Sequence, residues 1–278
     1  MADGQLPTFV IIGAMKGGTT TLHSLLAAHP EVFASREKEL HFFTEAMNLR
    51  RGVGWYRRHF RTDRPIRGES SPSYAAWPRH AGVPERMRAL IPEARIVYCV
   101  RDPIERAVSH YKHALAWGRD LAPIDQGILR ESFLLRGRYW SQIERYLAAG
   151  YPMERIHLVQ SERLRSHRAE TVAGVLRFLG ADPDAPMRAP RRNLHASDRK
   201  RVPTPRGRAL QRAAAPLLER LPWAARGLAE RAVLWPVSTP MPRLSLRPET
   251  RERLREALAE DAATLRRRTG LPFEGWQV

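Results

Sequence analysis

An apolar run followed by a glycine-rich turn near the amino terminus most limits how this chain can fold. Residues 9–12 are Phe-Val-Ile-Ile, which is typical of a β-strand that is covered on both faces. The glycines that follow permit a sharp turn and a close approach of the backbone to a ligand. A helix is predicted to begin at Thr19, so its free N–H groups and its dipole form an anion site. Lys16 adds a full positive charge to this turn.

The position of the lysine separates this turn from a nucleoside triphosphate loop. A Walker A loop has its lysine after the last glycine and a serine or threonine next to it, whereas here Lys16 precedes Gly17. The turn is therefore predicted to hold a phosphate without the usual ATP and magnesium arrangement. The alternative is a turn that serves only packing, but a lysine buried in such a turn is costly unless an anion pairs with it.

A second strand-to-helix junction has a matching character. Ile96–Val100 is an apolar strand that ends at Arg101, and Pro103 begins a helix with Asp102 as its N-cap. Ser109 follows about two turns into that helix. Arginine as a bidentate fork and serine as a hydroxyl donor are suited to bind one phosphate together.

These two segments resemble the donor-binding motifs of sulfotransferases that use 3′-phosphoadenosine 5′-phosphosulfate (PAPS). Residues 13–20, Gly-Ala-Met-Lys-Gly-Gly-Thr-Thr, look like the 5′-phosphosulfate loop, and residues 101–109 match the 3′-phosphate motif R-D-P-x-x-R-x-x-S. The resemblance is greatest to the heparan-sulfate-type and bacterial branch. It implies PAPS as donor, 3′-phosphoadenosine 5′-phosphate (PAP) as product, and these donor-binding residues: Lys16, Gly17, Gly18, Thr19, Thr20, Arg101 and Ser109.

The segment Arg36–Phe43 resembles the K-E-x-H-F-F motif of the same family. The resemblance implies that Glu39 is the catalytic base and that Lys16 stabilises the transferring group. A positioned carboxylate can accept the proton that an acceptor hydroxyl loses. Nearby aromatic rings are expected to raise the pKa of Glu39 and Lys38 to lower it. His41 is the rival base, and packing or orienting is its alternative role.

Residues 68–74 resemble the E-K-T/S-P-x-Y segment of the family, with one departure. Ser70 stands where several glycosaminoglycan-modifying members have lysine, which argues against a heparan-like acceptor. Glu69 is a candidate second acid, base or substrate contact, or it pairs with one of the arginines. The predicted acceptor contacts are Glu69, Ser70, Tyr74 and, from a G-x-Y helix, Tyr139.

The carboxyl-terminal third carries weaker signals. Residues 191–206 form a basic, proline-bounded segment, and the resemblance implies a loop that closes over the adenosine. Its predicted donor contacts are Arg199, Lys200 and Arg201, although a solvated charge run is the alternative. Residues 203–248 are predicted to be mostly helical, with a break at Pro222, and to shape the acceptor pocket.

The length and the net charge of the chain limit the class of protein to which it can belong. The chain has 278 residues and a net charge of +18, with 47 basic residues of which only four are lysines. Such a charge suits an anionic cofactor, an acidic glycan, a nucleic acid or a membrane surface. The single cysteine, Cys99, excludes an intrachain disulfide, and no metal-ligand motif is visible. No signal peptide or membrane anchor is recognised, so a cytoplasmic location is expected.

The sequence thus predicts a single α/β domain over residues 1–278, a three-layer P-loop-like fold with a central parallel sheet between helices. The predicted function is sulfonate transfer from PAPS to a hydroxyl of a small-molecule, lipid or carbohydrate acceptor. One alternative is a small-molecule kinase with a variant P-loop. The other is a basic polyanion-binding or nucleic-acid-binding protein, although no known nucleic-acid motif is present.

Overall fold

The computed structural model describes residues 4–188, 201–218, 229, 232–233 and 235–278. Their strands are β1 (Phe9–Gly13), β2 (Val32–Ala34), β3 (Ile66–Ser70), β4 (Arg95–Val100), β5 (Ile156–Gln160), β6 (Arg201–Pro203) and β7 (Ser238–Pro240). Strands β1 to β5 form one sheet in the order β2-β3-β1-β4-β5, and every neighbouring pair is parallel. Strands β6 and β7 pair separately and are antiparallel.

Helices lie between the strands of the main sheet and follow its last strand, β5. They are α1 (Thr19–Leu26), α2 (Gly52–Arg57), α3 (Val83–Leu90), α4 (Pro103–Ala116), α5 (Ile124–Gly127), α6 (Glu131–Leu134), α7 (Tyr139–Ala148), α8 (Ser161–Ser166), α9 (Arg168–Leu179), α10 (Pro205–Leu218) and α11 (Pro248–Thr269). Short 3₁₀ turns cover Leu49–Arg51, Arg58–Phe60, Leu135–Gly137 and Met153–Arg155. In the described part of the chain, no helix is both long and apolar enough to cross a membrane.

Two cores lie on opposite faces of the sheet. Val10 and Ile12 of β1 pack in one core with side chains from α3, α7 and α11. Phe9 and Ile11 pack in the other core with side chains from α1 and α9. Consecutive side chains of a strand point to opposite faces, so an unbroken apolar strand needs cover on both. The predicted fold class, a parallel sheet between two layers of helices, is confirmed.

The sequence pattern does not predict β3. Its residues include Gly68, Glu69 and Ser70, which are poor strand formers. The strand forms because it lies between β2 and β1 and pairs with both. A Cβ at residue 68 would lie 2.4 Å from the carbonyl oxygen of Phe9, so glycine lets the two strands pack closely. Tertiary pairing therefore decides this element.

The carboxyl-terminal third differs in part from expectation. Helix α10 begins at Pro205, and most of the second helix predicted beyond Pro222 lies outside the described residues. Strand β6 occupies part of the segment predicted to be a loop.

Candidate active site

A cavity of about 710 Å³ opens at the carboxyl ends of the strands. The segments that follow β1, β2, β3, β4 and β5 contribute, respectively, Lys16, Glu39, Ser73, Arg101 and Ser161 to its wall. Parallel α/β sheets bind ligands at this edge, because the loops after the strands converge there. Three predicted groups, the lysine turn, the Glu39 segment and the arginine junction, thus meet at one cavity.

The β1–α1 turn presents a helix terminus to the cavity. Lys16, Gly18, Thr19 and Thr20 all line the cavity, as does Thr21. Leu22 is the first residue whose N–H bonds back into the helix, to the carbonyl of Gly18 at 3.1 Å. The preceding N–H groups have no partner four residues earlier in the helix. They and the helix dipole favour an anion at this point.

Gly17, one of the predicted donor contacts, bonds and packs within the turn. Its N–H donates to the carbonyl oxygen of Ala14 at 2.8 Å, so that donor is already used within the turn. A Cβ at this position would lie 2.5 Å from the carbonyl oxygen of Cys99 and 3.0 Å from that of Ala14. Gly17 does not line the cavity. Its position supports close packing of the turn on β4 and does not support the predicted donor contact.

This packing leads to a stability prediction. We expect Gly17→Ala to lower the free energy of unfolding by about 1–3 kcal/mol, because the methyl group meets two backbone oxygens that cannot move independently. The matched control is Gly54→Ala in α2, where a Cβ meets nothing within 4 Å. That change is expected to stabilise the protein by about 0.5–1 kcal/mol. Urea denaturation measures both variants, and equal effects would contradict the prediction.

The arginine junction forms as predicted around β4 and α4. Asp102 caps α4 by accepting the N–H of Glu105 at 2.8 Å. Arg101 and Ser109 both line the cavity, and Arg101 Nη2 lies 3.7 Å from a carboxylate oxygen of Glu105. The hydroxyl of Tyr139 donates to the carbonyl of Arg101 at 2.7 Å and accepts its N–H at 3.2 Å. These two bonds with Tyr139 therefore fix the backbone of Arg101 at the junction.

Glu39 and His41 lie close together at the cavity. His41 Nε2 is 3.6 Å from Oε2 of Glu39, and Lys38 pairs with Oε1 of the same carboxylate. Burial raises the pKa of Glu39, but the hydrogen bond with His41 and the charge of Lys38 outweigh it and lower the pKa to about 2. The side chain is 46% exposed. Glu39 thus presents an ionised carboxylate to the cavity.

Several residues of the cavity have an unusual backbone conformation, with a positive φ angle. Among the described residues, the non-glycine positions with positive φ are Lys16 at 72°, Glu39 at 67°, His41 at 49° and Phe273 at 48°. The first three line the cavity. Non-glycine residues in this region are strained and tend to cluster at functional sites. The sequence shows no signal for these conformations.

The predicted acceptor contacts lie outside the cavity wall. Glu69, Ser70, Tyr74 and Tyr139 are all buried, with exposed fractions of 2% or less, and none lines the cavity. Glu69 accepts hydrogen bonds from Tyr56, Ser71 and Tyr74, so it does not pair with an arginine. Their positions do not support direct contact with a substrate.

The predicted donor contacts of the basic segment fall in two groups. Arg199 and Lys200 lie outside the described residues. Arg201 donates from Nε to the hydroxyl of Ser238 at 2.9 Å, and its guanidinium lies 4.5 Å from the ring centroid of Trp235. It does not line the cavity. The described residues of the range 203–248 do not line the cavity either.

Five arginines that the sequence analysis does not single out form part of the cavity wall: Arg165 and Arg168 after β5, and a group of three from other segments, Arg79, Arg119 and Arg136. Burial, followed by the charges of Arg106, Arg79 and Arg119, lowers the pKa of Arg136 to about 10. In the described part of the chain, no carboxylate forms a salt bridge with Arg79, Arg119 or Arg136. Because this chain is so rich in arginine, their spacing in the sequence gives no signal. Only the fold shows that they meet.

Comparison with known proteins identifies relatives of the cavity-bearing region. A family model described as "Sulfotransferase domain" matches residues 6–201. The human bifunctional heparan sulfate N-deacetylase/N-sulfotransferase 2 is 29% identical over 204 residues, which is 64% of this chain and 22% of that protein. The human heparan sulfate glucosamine 3-O-sulfotransferase 6 is 34% identical over 190 residues, 63% of this chain and 53% of that protein. This chain therefore aligns with only part of these relatives.

A solved structure shares the fold over almost the whole chain. The sulfotransferase from Alicyclobacillus acidocaldarius aligns with a TM-score of 0.68 and 22% sequence identity. The alignment covers 99% of this chain and 100% of that one. At this level of identity the similarity establishes the fold.

Proposed function

The chain belongs to the sulfotransferase domain family, and from this premise we propose that it transfers the sulfonate group of PAPS to a hydroxyl group of an acceptor. The observation that supports this most is that Lys16, Glu39, Arg101 and Ser109 line one cavity. A cation at a helix terminus, an ionised carboxylate and a second phosphate-binding pair are the parts that this reaction requires. They come from three separate segments of the sequence.

The residues of the cavity fit a donor with two anionic ends. The 5′-phosphosulfate would bind at the amino end of α1, where Lys16 and the N–H groups of Thr19 and Thr20 supply donors and positive charge. Arg101 and Ser109 would bind the 3′-phosphate through a charge-assisted fork and a hydroxyl. Since ATP has no 3′-phosphate, this second pair would select PAPS over ATP.

The side chains of the cavity have different roles in the transfer reaction. The acceptor oxygen forms a bond to sulfur as the bond between sulfur and the bridging oxygen of the 5′-phosphate breaks, and PAP leaves. Glu39 accepts the hydroxyl proton, and His41 orients its carboxylate. A carboxylate with a low pKa is sufficient, because the hydroxyl proton becomes strongly acidic as its oxygen bonds to sulfur. Lys16 and the α1 terminus stabilise the charge that develops on the leaving phosphate.

Arg79, Arg119 and Arg136 narrow the choice among small-molecule, lipid and carbohydrate acceptors. Guanidinium groups that face one cavity without a carboxylate partner repel one another, and an anion would relieve the repulsion. We therefore expect an acceptor that carries a carboxylate, sulfate or phosphate beside the reacting hydroxyl. The names of the heparan sulfate relatives agree with an acidic glycan.

Nucleotide binding tests the donor assignment. By calorimetry without magnesium, PAP is expected to bind more tightly than AMP or ATP. Arg101→Ala should raise the Kd for PAP by about 10- to 100-fold, since a hydrogen bond to a charged group is worth about 1.5–3 kcal/mol, and leave the Kd for AMP unchanged. Arg253→Ala, an exposed arginine of α11, is the control for net charge. Tighter binding of ATP with magnesium would overturn the proposal.

The positions of Arg79, Arg119 and Arg136 lead to a prediction about the acceptor. Arg119→Ala is expected to lower kcat/KM about tenfold for an anionic acceptor, because it removes one charged contact. The same variant should leave kcat/KM for a neutral acceptor nearly unchanged. Radiolabelled PAPS and a panel of phenols, sterols and uronic acid oligosaccharides measure this, with Arg253→Ala as the matched control. Equal losses for neutral and anionic acceptors would contradict the prediction.

A further inference from the structure

The loop that carries Glu39 and His41 depends on outside support. We define the base loop as residues 38–43, which contain no helix or strand. Glu39 and His41 both have positive φ, at 67° and 49°. Such conformations of non-glycine residues persist only where the surrounding structure holds them. The bonds that hold this loop therefore decide where the candidate base lies.

Three of those bonds reach the end of β3 and the segment that follows it. The N–H of Glu39 donates to the carbonyl of Ser70 at 3.0 Å. The N–H of His41 donates to the hydroxyl of Ser71 at 3.0 Å. The N–H of Phe43 donates to the hydroxyl of Tyr74 at 3.3 Å. Two of these three backbone N–H groups thus bond to side-chain hydroxyls. The loop is also held by Asn48 and Arg86, which donate to the carbonyls of Leu40 and Phe43, and by a hydrogen bond between His41 and Ser73.

One buried carboxylate orients both hydroxyls. The Ser71 hydroxyl donates to Oε2 of Glu69 at 2.6 Å, and the Tyr74 hydroxyl donates to Oε1 at 2.7 Å. A hydroxyl has one proton, so once it donates to Glu69 its lone pairs face the backbone N–H groups of His41 and Phe43. Glu69 is fully buried. Burial raises its pKa, and the hydrogen bonds from Ser71, Tyr74 and Tyr56 oppose that shift.

We propose that Glu69 is a positioning residue, which acts through Ser71 and Tyr74 to hold the base loop and therefore Glu39 at the cavity. This role rests on the proposed function of Glu39. It differs from the substrate contact that the sequence predicts for Glu69. It also explains why a carboxylate occupies a fully buried site beside three hydroxyl donors.

A carboxylate and an amide are not equivalent at this position. Glutamine has one oxygen and one NH₂ group, so it cannot accept from Ser71 on one side and from Tyr74 on the other. The hydroxyl that faces the NH₂ group can no longer donate to residue 69, so its proton must point elsewhere in a buried site. Its hydrogen bond with the N–H group of the base loop is then weakened. Glu69→Gln therefore keeps the shape of the side chain and removes the orienting effect.

Transfer kinetics test this inference with the best acceptor from the panel above. We expect Glu69→Gln to lower kcat about 100-fold, since misplacement of a reacting group by about 1 Å has an effect of this size. The Kd for PAP should stay within about twofold of wild type. Unchanged kcat in a folded Glu69→Gln variant would overturn the inference.

A matched pair of tyrosines separates positioning from stability. Tyr74→Phe and Tyr56→Phe each remove one hydrogen bond to Glu69 and keep the ring, but only the Tyr74 hydroxyl also accepts a hydrogen bond from the base loop. We expect Tyr74→Phe to lower kcat about tenfold and Tyr56→Phe to leave kcat near wild type, whatever their Tm values. If kcat follows Tm in both variants, the role of Glu69 is only structural. This pair decides the question even if Glu69→Gln does not fold.

A double variant tests whether Glu69 acts through Glu39. Adding Glu69→Gln to Glu39→Gln should lower kcat little further, because the base whose position matters is already absent. Fully additive losses would overturn the inference. Wild-type protein that binds PAP but transfers sulfonate to no acceptor would overturn the proposed function and this role with it. Wild-type transfer combined with unaffected Glu69→Gln would overturn this role alone.

Discussion

Glu39→Gln is expected to lower kcat by about 10²–10⁴-fold, the usual contribution of a positioned general base. The amide is nearly isosteric with the carboxylate but cannot accept the hydroxyl proton. The Kd for PAP should stay within about twofold of wild type, because the proposed donor contacts come from the β1–α1 turn and the Arg101 junction. Single-turnover transfer from labelled PAPS separates the chemical step from product release.

Glu37 supplies a matched control for this substitution. It lies two residues earlier in the same segment, is 48% exposed and faces His59 at 3.8 Å. It does not line the cavity. Glu37→Gln makes the same change of charge and is expected to leave kcat near wild type. Equal losses in both variants would assign the effect to the charge of the segment and would exclude Glu39 as the base.

The pH dependence gives a further check on this assignment. Because the pKa of Glu39 is about 2, the base form is present throughout the range above about pH 4. Protonation of Glu39 should therefore not lower the single-turnover rate between pH 8 and pH 5. An acidic limb in this range that disappears in Glu39→Gln would contradict the low pKa.

Lys16→Met is the second variant that we expect to lower kcat strongly. Methionine keeps a similar length without the charge, so the variant removes electrostatic stabilisation of the leaving phosphate. We expect kcat to fall by about 10²–10³-fold, the size of effect seen when one stabilising donor is removed. The Kd for PAP should rise by about tenfold, since one charged contact to the 5′-phosphate is lost.

Lys112→Met is the control, because Lys112 lies on α4 and does not line the cavity. Calorimetry with PAP and single-turnover transfer measure both lysine variants. A loss of PAP affinity without any loss of kcat would mean that Lys16 binds the nucleotide and does not assist the chemical step. A loss in both lysine variants would point to net charge.

Much of the donor side of the site is predictable from local sequence. The apolar strand, the glycine turn and the helix at Thr19 follow one another within a short segment, and the junction around Arg101 does the same. Each is a strand-to-helix unit whose geometry depends on near neighbours. In a parallel sheet, the carboxyl ends of two such strands lie at one edge. The fold class therefore predicts that Lys16 and Arg101 lie at the same edge of the sheet.

The acceptor side is less predictable, because it depends on contacts between distant segments. Glu69 and Tyr74 match a family motif near the site, yet the fold buries them behind the base loop, where they support it. Gly17 matches the donor motif, but its N–H bonds within the turn and its lack of a Cβ serves contact with β4. In both cases a motif identifies the neighbourhood of the site, and packing decides which atom faces the cavity.

The amino-acid sequence by itself therefore determined the fold class, the family and the segments that bear the donor-binding residues, because periodicity and turn chemistry act over short distances. Only the tertiary structure decided that β3 is a strand, that Arg79, Arg119 and Arg136 face one cavity, and that Glu69 supports the base loop. The physical reason is that burial, strand pairing and the choice between donor and acceptor depend on partners far away in the chain.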